Sequence, residues 1–418
     1  MPSSDFDRNL EKYAEVIVKI GLNLQPGQRL LISGPSGVAV EAAPLVRVIA
    51  VKAYQVGARY VDVIWGDPQL TLIRFQHAPR DSFEEISTWM ADTAVTYGGR
   101  GDAVLIIVGQ NPDLLKGQDP ELVSTLQRAI FQGNKGIQAL RQKNATNWVI
   151  VTAPVPGWSA KVLPDVPAEN REARMWDTIF EMCHVKQDDP VAGWRAHSQN
   201  LIARSNYLTN KGYATLNFTA PGTRLKVGLP KGHIWYGGGA TTQKGTFYMP
   251  NIPTEEVFTM PHKDQVEGMV TATKPLHING TVIEKFILTF EAGRVVKAVA
   301  EKGEVNLHRL LETDEGARGI GEVALVPHSS PISQSNLLFY NTLFDENASN
   351  HIALGNAYRF SMRGGETMSG KEFAAVGGNQ SLIHVDFMVG SDKMDVDGLT
   401  ESGVVEPIMR DGNWTFDI

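Results

Sequence analysis

The chain of 418 residues exceeds the roughly 250–300 residues that one hydrophobic core usually serves, so two domains are expected. Hydrophobic residues make up 42% of the chain and charged residues 20%, as in an ordinary soluble globular protein. The net charge of −7 leaves no basic surplus to neutralise phosphates, so nucleic acid is not expected as a partner.

A single cysteine, Cys183, excludes a disulfide framework and a zinc site built from thiolates. It follows residues 175–182, which predict a helix with large apolar side chains, so a packed structural thiol is expected rather than a nucleophile. Residues 1–5 lack the basic and apolar regions of a signal peptide, and no apolar segment reaches the roughly 18 residues of a membrane span. We therefore predict a cytoplasmic protein without a membrane partner.

The first part of the chain alternates between helices and short apolar strands. Ser4 and Asp5 can cap a first helix with apolar positions at helical spacing. The following predicted elements are a strand at 29–34, a helix at about 41–55, and strands at 60–65, 103–108 and 147–152. This alternation is typical of a doubly wound, mostly parallel sheet. Residues 34–37 match neither the dinucleotide fingerprint nor a phosphate loop, so a plain turn is predicted there.

The second part of the chain has a different character. Residues 165–210 predict helices, and the predicted strands after them lie at 215–218, 224–227, 246–249, 282–290 and 294–299. A hairpin turn is predicted at 291–293. The predicted fold is α/β, with an N-terminal doubly wound domain at 1–205 followed by a β-rich α+β domain at 206–418.

The most informative local feature is His384-Val385-Asp386 within an apolar run. Alternate residues of a strand point the same way, so His384 and Asp386 should share one face. An acid and an imidazole in apolar surroundings require partners. The two side chains could pair with each other, serve a catalytic partner or bind a metal ion.

Other polar residues of the second half extend this candidate site. Each of these residues also has a purely structural interpretation. Glu255 and Glu256 could be a solvated acidic pair, and Glu322 could cap its strand. His351 and Tyr358 could belong to a packed stripe of a helix. Glu346 and His351 are five residues apart and would not share one face of a regular helix. If both reach one site, the chain must turn or begin its helix between them. The candidates are Glu255, Glu256, Glu322, Glu346, His351 and Tyr358.

Carboxylates and imidazoles without thiolates suit zinc, cobalt or manganese. Five or six such ligands exceed the needs of one tetrahedral catalytic ion. The surplus favours two metal ions that share a bridging carboxylate. The set contains no local signature of the type His-Glu-x-x-His.

Five motifs follow one another between residues 250 and 412: PTEEVF at 253–258, TDEGAR at 313–318, GEVALV at 321–326, LFDENA at 343–348 and HVDFMVG at 384–390. In their order and spacing the sequence resembles the aminopeptidase T and aminopeptidase S family of dinuclear metallo-aminopeptidases, the thermophilic metalloprotease family. Residues 395–398 and 411–412 also fit. The N-terminal domain is compatible with the family and less specific.

The resemblance implies two divalent metal ions per chain, with a metal site facing the interior of a homodimer. The resemblance favours Glu256 over Glu255 as a ligand, because its distance to Glu322 fits the spacing of the family. Tyr358 would line the site or contact the substrate. The implied metal ligands are Glu256, Glu322, Glu346, His351, His384 and Asp386.

The expected activity is removal of N-terminal amino acids from peptides by a metal-activated water. Glu322 or Glu256 would carry the proton, and Tyr358 would donate a hydrogen bond to the tetrahedral intermediate. Two alternatives stay open: a dinuclear hydrolase acting on another amide or a phosphoester, and a metal-stabilised binding protein without turnover.

Overall fold

The computed structural model describes residues 5–278 and 281–418. Ser4 of the predicted helix cap lies outside the described residues, and the first helix begins at Asp5. The helices are α1 Asp5–Val16, α2 Ala43–Gln55, α3 Pro68–His77, α4 Trp89–Arg100, α5 Pro120–Gly133, α6 Lys135–Gln142, α7 Pro156–Val162, α8 Ala168–Met182, α9 Pro190–Lys211, α10 Glu304–Leu311, α11 Pro331–Gln334, α12 Thr342–Asp345 and α13 Gly370–Ala375.

Most strands are short, and most of them lie in the second half of the chain. The strands are β1 Arg29–Ser33, β2 Val38–Ala39, β3 Tyr60–Val63, β4 Trp65–Gly66, β5 Ala103–Val108, β6 Trp148–Thr152, β7 Thr215–Ala220, β8 Thr223–Gly228, β9 Tyr236–Gly237, β10 Ala240–Thr241, β11 Phe247–Tyr248, β12 Val257–Thr259, β13 Val266–Thr271, β14 Leu276–Ile278, β15 Thr281–Glu291, β16 Arg294–Lys302, β17 Ile320–Leu325, β18 His351–Gly355, β19 His384–Met388, β20 Asp395–Leu399, β21 Val405–Arg410 and β22 Asn413–Trp414.

The residues group into two compact units. The first contains the chain up to His197 together with Gly239–Pro253, and the second contains Ser198–Gly238 and Thr254–Ile418. The return of residues 239–253 to the first unit was not predicted. The predicted boundary between an N-terminal domain at 1–205 and a C-terminal domain at 206–418 stays a prediction.

The first unit contains a parallel sheet with the strand order β3-β1-β5-β6. The central strand β5 is apolar and buried along almost its whole length, as parallel strands covered on both faces are. Tyr97 of α4 packs on Leu31 and Val104 of the sheet. The predicted strand at 60–65 is divided into β3 and β4, because β4 pairs with β2 instead of continuing along β1.

The second unit contains two antiparallel sheets that share one apolar core. The larger sheet has the order β14-β15-β13-β8-β7-β20-β21-β22, with β16 also paired to β15. The predicted hairpin joins β15 and β16. Ala292 and Gly293 have φ of 47° and 80°, the left-handed pair that a two-residue hairpin turn requires.

The smaller sheet, with the order β19-β18-β17-β12-β9, has one face in this core. Ile352, Val323 and Phe387 belong to the same buried cluster as residues of the larger sheet. The Phe387 ring lies 5.3 Å from the Phe286 ring of β15, centroid to centroid. The opposite face of this five-stranded sheet, which we call the ligand face, does not contribute to that core cluster.

A bulge in β17 determines which side chains reach the ligand face. Ile320 pairs with Leu354 and Glu322 pairs with Ala353, so Gly321 is an extra residue on β17. A Cβ atom at Gly321 would lie 2.2 Å from the carbonyl oxygen of Asn356, so only glycine fits this close approach.

The predicted class is confirmed: an α/β fold with a mostly parallel N-terminal sheet and a β-rich C-terminal part. Among the described residues, no helix has the length and apolar character needed to cross a membrane.

Candidate metal centre

His384 and Asp386 lie on one face of β19, as their spacing predicts. Nε2 of His384 lies 3.5 Å from Oδ1 of Asp386. Val385 and Phe387, which alternate with them, pack against the core of the second unit. The strand therefore places its polar pair on the face opposite Val385 and Phe387.

The pairing of the neighbouring strands brings further polar residues to the ligand face. Directly opposite residues of an antiparallel sheet point to the same side. Asp386 pairs with Ala353, which pairs with Glu322. His351 pairs with Met388, two residues beyond Asp386, so its side chain also points to this face.

Two groups of ligand atoms lie on the ligand face, and Glu322 belongs to both. In the first, Nε2 of His351 lies 3.2 Å from Oε2 of Glu256 and 3.5 Å from Oε1 of Glu322. In the second, Nε2 of His384 lies 3.7 Å from Oε2 of Glu322, near Asp386. The two oxygens of Glu322 thus face different imidazoles.

These separations fit the donor set of a metal ion. Nitrogen and oxygen ligands about 2.0–2.1 Å from a tetrahedral zinc ion are about 3.3 Å from each other. The separations between nitrogen and oxygen atoms in the two groups range from 3.2 to 3.7 Å. Carboxylate and imidazole donors without sulfur match zinc, cobalt or manganese.

The two histidines are oriented so that Nε2 points to the carboxylates. Nδ1 of His384 lies 2.7 Å from the carbonyl oxygen of Asn356, and Nδ1 of His351 lies 3.2 Å from that of Ser349. Because a carbonyl oxygen only accepts, each Nδ1 carries a proton, and a neutral ring then presents an Nε2 lone pair to the carboxylates. A cation must lie between them, either a proton or a metal ion.

The carboxylates of the ligand face also raise the pKa values of the two histidines. Burial lowers the pKa of His384, but Asp386 and Glu322 outweigh it and raise the pKa to about 10. Burial also lowers the pKa of His351, and Glu256 and Glu322 raise it well above its usual range. Oδ1 of Asp386 is buried and has no hydrogen-bond partner. An orphaned carboxylate oxygen beside an imidazole fits a site for a divalent cation.

Glu346 and Tyr358 border the two groups. Burial, together with the charges of Glu256 and Asp386, raises the pKa of Glu346 well above its usual range. A 3-10 helical turn ends at Ala348 and β18 begins at His351, so the chain turns between Glu346 and His351. The Tyr358 ring lies 4.7 Å from the His384 ring, centroid to centroid.

The buried Asn347 was not identified from the sequence. Its Oδ1 accepts a hydrogen bond of 2.7 Å from the backbone N–H of Glu255, and its Nδ2 donates one of 2.9 Å to the carbonyl oxygen of Leu343. It therefore fixes the segment that carries Glu256 against the one that carries Glu346. An Asn beside an acidic residue is too common in sequences to signal this role.

Replacement of Asn347 by alanine is expected to lower stability by about 1–3 kcal/mol, because a buried backbone N–H loses its acceptor. Metal affinity should fall by about 10- to 100-fold, as for other residues that orient metal ligands. Denaturant unfolding and metal titration would measure both effects. Asn170→Ala, at an exposed position in α8, is the matched control. Unchanged metal affinity in a folded Asn347→Ala protein would contradict this positioning role.

Comparison with known proteins extends the similarity to the whole chain. The thermophilic metalloprotease (M29) family matches residues 6–414. Aminopeptidase 2 from Geobacillus stearothermophilus is 47% identical over 413 residues, covering 99% of each chain. Aminopeptidase AmpS from Bacillus subtilis is 44% identical over 411 residues, covering 98% of this chain and 99% of that protein. The solved structure of wild-type AmpT from Thermus thermophilus has a TM-score of 0.92 at 44% identity, covering 98% of this chain and 100% of that one.

The range that matches the family, residues 6–414, includes residues of both units and the positions of the motifs named above. The predicted enzyme class, a metalloprotease and therefore a hydrolase, is confirmed, and the relatives carry the name aminopeptidase. The chain belongs to the thermophilic metalloprotease (M29) family.

Proposed function

We propose that this protein is an aminopeptidase that removes N-terminal amino acids from peptides with the help of two divalent metal ions. Two ligand groups joined through Glu322 on one sheet face are the observation that carries the proposal. The name of the 47% identical relative supports the aminopeptidase activity.

In this proposal Glu256, His351 and Glu322 would hold one ion, and His384, Asp386 and Glu322 would hold the other. Glu346 is a further ligand. Zinc, cobalt and manganese all suit this donor set. When bound, such ions supply Lewis-acid polarisation of the scissile carbonyl and lower the pKa of water.

The residues of the chain have three tasks in this reaction. The carboxylates of the ligand face anchor the free α-amino group, which restricts cleavage to the N-terminus of a peptide. Glu256 takes a proton from the attacking water on a carboxylate oxygen and delivers it to the leaving amine, because both oxygens of Glu322 face the two ligand groups. Tyr358 donates a hydrogen bond from its hydroxyl to the oxygen that becomes negative in the transition state.

Tyr358 is suited to donate because its hydroxyl keeps its proton. Burial raises the pKa of Tyr358 well above its usual range, and Glu322 and Asp386 raise it further. The phenol is therefore a hydrogen-bond donor, and not a base, across the pH range in which peptidases operate.

Tyr358→Phe is expected to lower kcat by about 100- to 1000-fold with little change in KM, because one donor to the developing oxyanion is lost. The phenyl ring would keep its contact with His384. Steady-state kinetics on an amino acid p-nitroanilide would measure the effect. Tyr60→Phe, at an exposed position of β3, is the matched control. A higher KM with an unchanged kcat would instead indicate that Tyr358 contributes to substrate binding alone.

The proposed activity can be tested directly. Metal content should be two ions per chain, and short peptides should release free N-terminal amino acids until a chelator is added. Recovery of release on return of zinc, cobalt or manganese would support the proposal. Turnover of phosphoesters without release of amino acids would contradict it, as would chelation that lowers thermal stability in a protein that cleaves no substrate.

The predicted homodimer and the predicted cytoplasmic location belong to this proposal as well. Light scattering of the purified protein would test the first, since a dimer has twice the 45.8 kDa of one chain. Fractionation of the source cells would test the second.

A further inference from the structure

Four aromatic side chains form a continuous group beside the metal centre. We call it the aromatic wall: Tyr236, Phe258, Tyr358 and Phe360. The Tyr358 and Phe360 rings are stacked with centroids 5.1 Å apart, and Phe360 meets Tyr236 edge-on at 4.9 Å. Phe258 lies 6.2–6.3 Å from each of the other three rings.

Strand register places the wall on the ligand face. Phe258 pairs with Ala324 and with Tyr236, and Ala324 pairs with His351. Phe258 and Tyr236 therefore point to the same side of the sheet as His351. Phe258 also follows Glu256 by two residues, the spacing of side chains on one face of a strand.

The wall directly adjoins the ligand set and is partly accessible. The Tyr358 ring lies 4.7 Å from the His384 ring, and all four aromatic residues are half-buried. Apolar residues on the other face of this sheet, such as Ile352 and Phe387, are fully buried in the core. The wall is thus an apolar surface that the core does not use, at the edge of the proposed reaction centre.

The geometry of an N-terminal residue determines which part of a substrate meets this surface. If the α-amino group and the scissile carbonyl are both held at the ligand face, the Cα atom between them is one bond from each. Its side chain must then branch within a few ångströms of the ligands. Residues after the scissile bond lead away from that point.

We propose that the aromatic wall is the subsite for the side chain of the N-terminal residue and that it selects large apolar side chains, aromatic ones above all. This inference rests on the proposed aminopeptidase function. Apolar burial and ring-to-ring contact both favour such side chains over alanine. Phe258, Phe360 and Tyr236 are specificity-determining residues in this arrangement.

The test varies only the N-terminal residue, with phenylalanyl, leucyl, alanyl and arginyl p-nitroanilides on the metal-loaded enzyme. The wild type should prefer phenylalanyl to alanyl substrate. In Phe360→Ala the ratio of kcat/KM between these two should fall by about 10- to 100-fold, the range for lost apolar contacts in a pocket. In Phe360→Leu the phenylalanyl-to-alanyl ratio of kcat/KM should lie between the wild-type value and that of Phe360→Ala. This variant should also cleave the leucyl substrate faster than Phe360→Ala does.

A binding measurement provides a readout that does not depend on turnover. The affinity of free L-phenylalanine relative to L-alanine, measured by calorimetry, should fall in Phe360→Ala by a similar factor. Phe131→Ala makes the same chemical change at a half-exposed position of α5 and should leave both ratios unchanged. If Phe360→Ala does not fold, Phe360→Leu and Phe258→Leu provide the comparison.

The outcomes separate this inference from the proposed function. Absence of cleavage of every p-nitroanilide by the metal-loaded wild type would overturn both. Cleavage with an unchanged phenylalanyl-to-alanyl ratio in the wall variants would overturn the inference alone. A wild-type enzyme that prefers the arginyl substrate would also overturn it. So would wall variants in which only the selectivity for the second residue of alanyl dipeptides changes.

Discussion

Glu322→Gln is expected to lower kcat/KM on peptides by about 1000-fold or more, beyond the effect of losing one transition-state hydrogen bond. Glutamine keeps the size of the side chain, but it cannot present two anionic oxygens. Oε1 of Glu322 faces His351 at 3.5 Å and Oε2 faces His384 at 3.7 Å, so one substitution affects both ligand groups. Kinetics at saturating metal, with metal content measured on the same sample, would show the loss.

His384→Ala tests the second ligand group by itself and should also abolish activity. Both variants should keep the circular dichroism spectrum of the wild type, because the opposite face of the sheet forms the core contacts. Glu401→Gln makes the same change as Glu322→Gln at an exposed residue and should be fully active. Near-wild-type turnover of either site variant with metal present would disprove the assignment of the metal centre.

Removal of the metal is expected to reverse the pH dependence of stability in the alkaline range. Without metal, the pKa of His384 is about 10, against an ordinary value of about 6.5 in the unfolded chain. The pKa values of His351 and Glu346 are also raised in the folded state. The metal-free folded protein therefore binds more protons than the unfolded chain does at pH 7–10.

The sign of the effect follows from this excess of bound protons. The stability contributed by protonated His384 is fully present below about pH 6.5 and is lost as the pH rises to about 10. The free energy of unfolding should fall by about 1.4 kcal/mol per pH unit for each such proton. In the metal-loaded protein of our proposal, bound metal would take the place of these protons, so acid and not alkali should weaken the folded state.

Denaturant unfolding at several pH values between 7 and 10, with a chelator and with metal, would measure the two slopes. His384→Gln should flatten the slope of the chelated protein, and His77→Gln, at an exposed residue of α3, should leave it unchanged. Parallel pH profiles for the chelated and the loaded wild type would contradict the proposed exchange of protons for metal ions.

The sequence predicts those parts of the site that depend on local geometry. The shared face of His384 and Asp386 follows from the two-residue period of a strand, and the structure has it. The spacing of Glu346 and His351 predicts either a turn or the start of a helix between them if both reach one site, and the structure has a turn followed by β18.

Other parts depend on contacts between distant segments. Residue order alone does not bring Glu322 opposite Ala353, because the pairing of β17 with β18 contains a bulge that no sequence period reveals. The buried Asn347 holds the segment of Glu256 through the backbone N–H of Glu255, 92 positions away along the chain. The parallel sheet of the first unit was predictable because its strands are short apolar runs between helices, whereas the return of residues 239–253 to that unit depends on long-range packing.

Gly321 has consequences for how this site can change during evolution or engineering. A single methyl group there would press on the carbonyl oxygen of Asn356, the same atom that holds Nδ1 of His384. A residue without a side chain therefore constrains the ring orientation of a proposed ligand. Attempts to retune the metal preference by exchanging donors must keep this position fixed, and a mutational scan restricted to ionisable residues would overlook one of the strictest requirements of the centre.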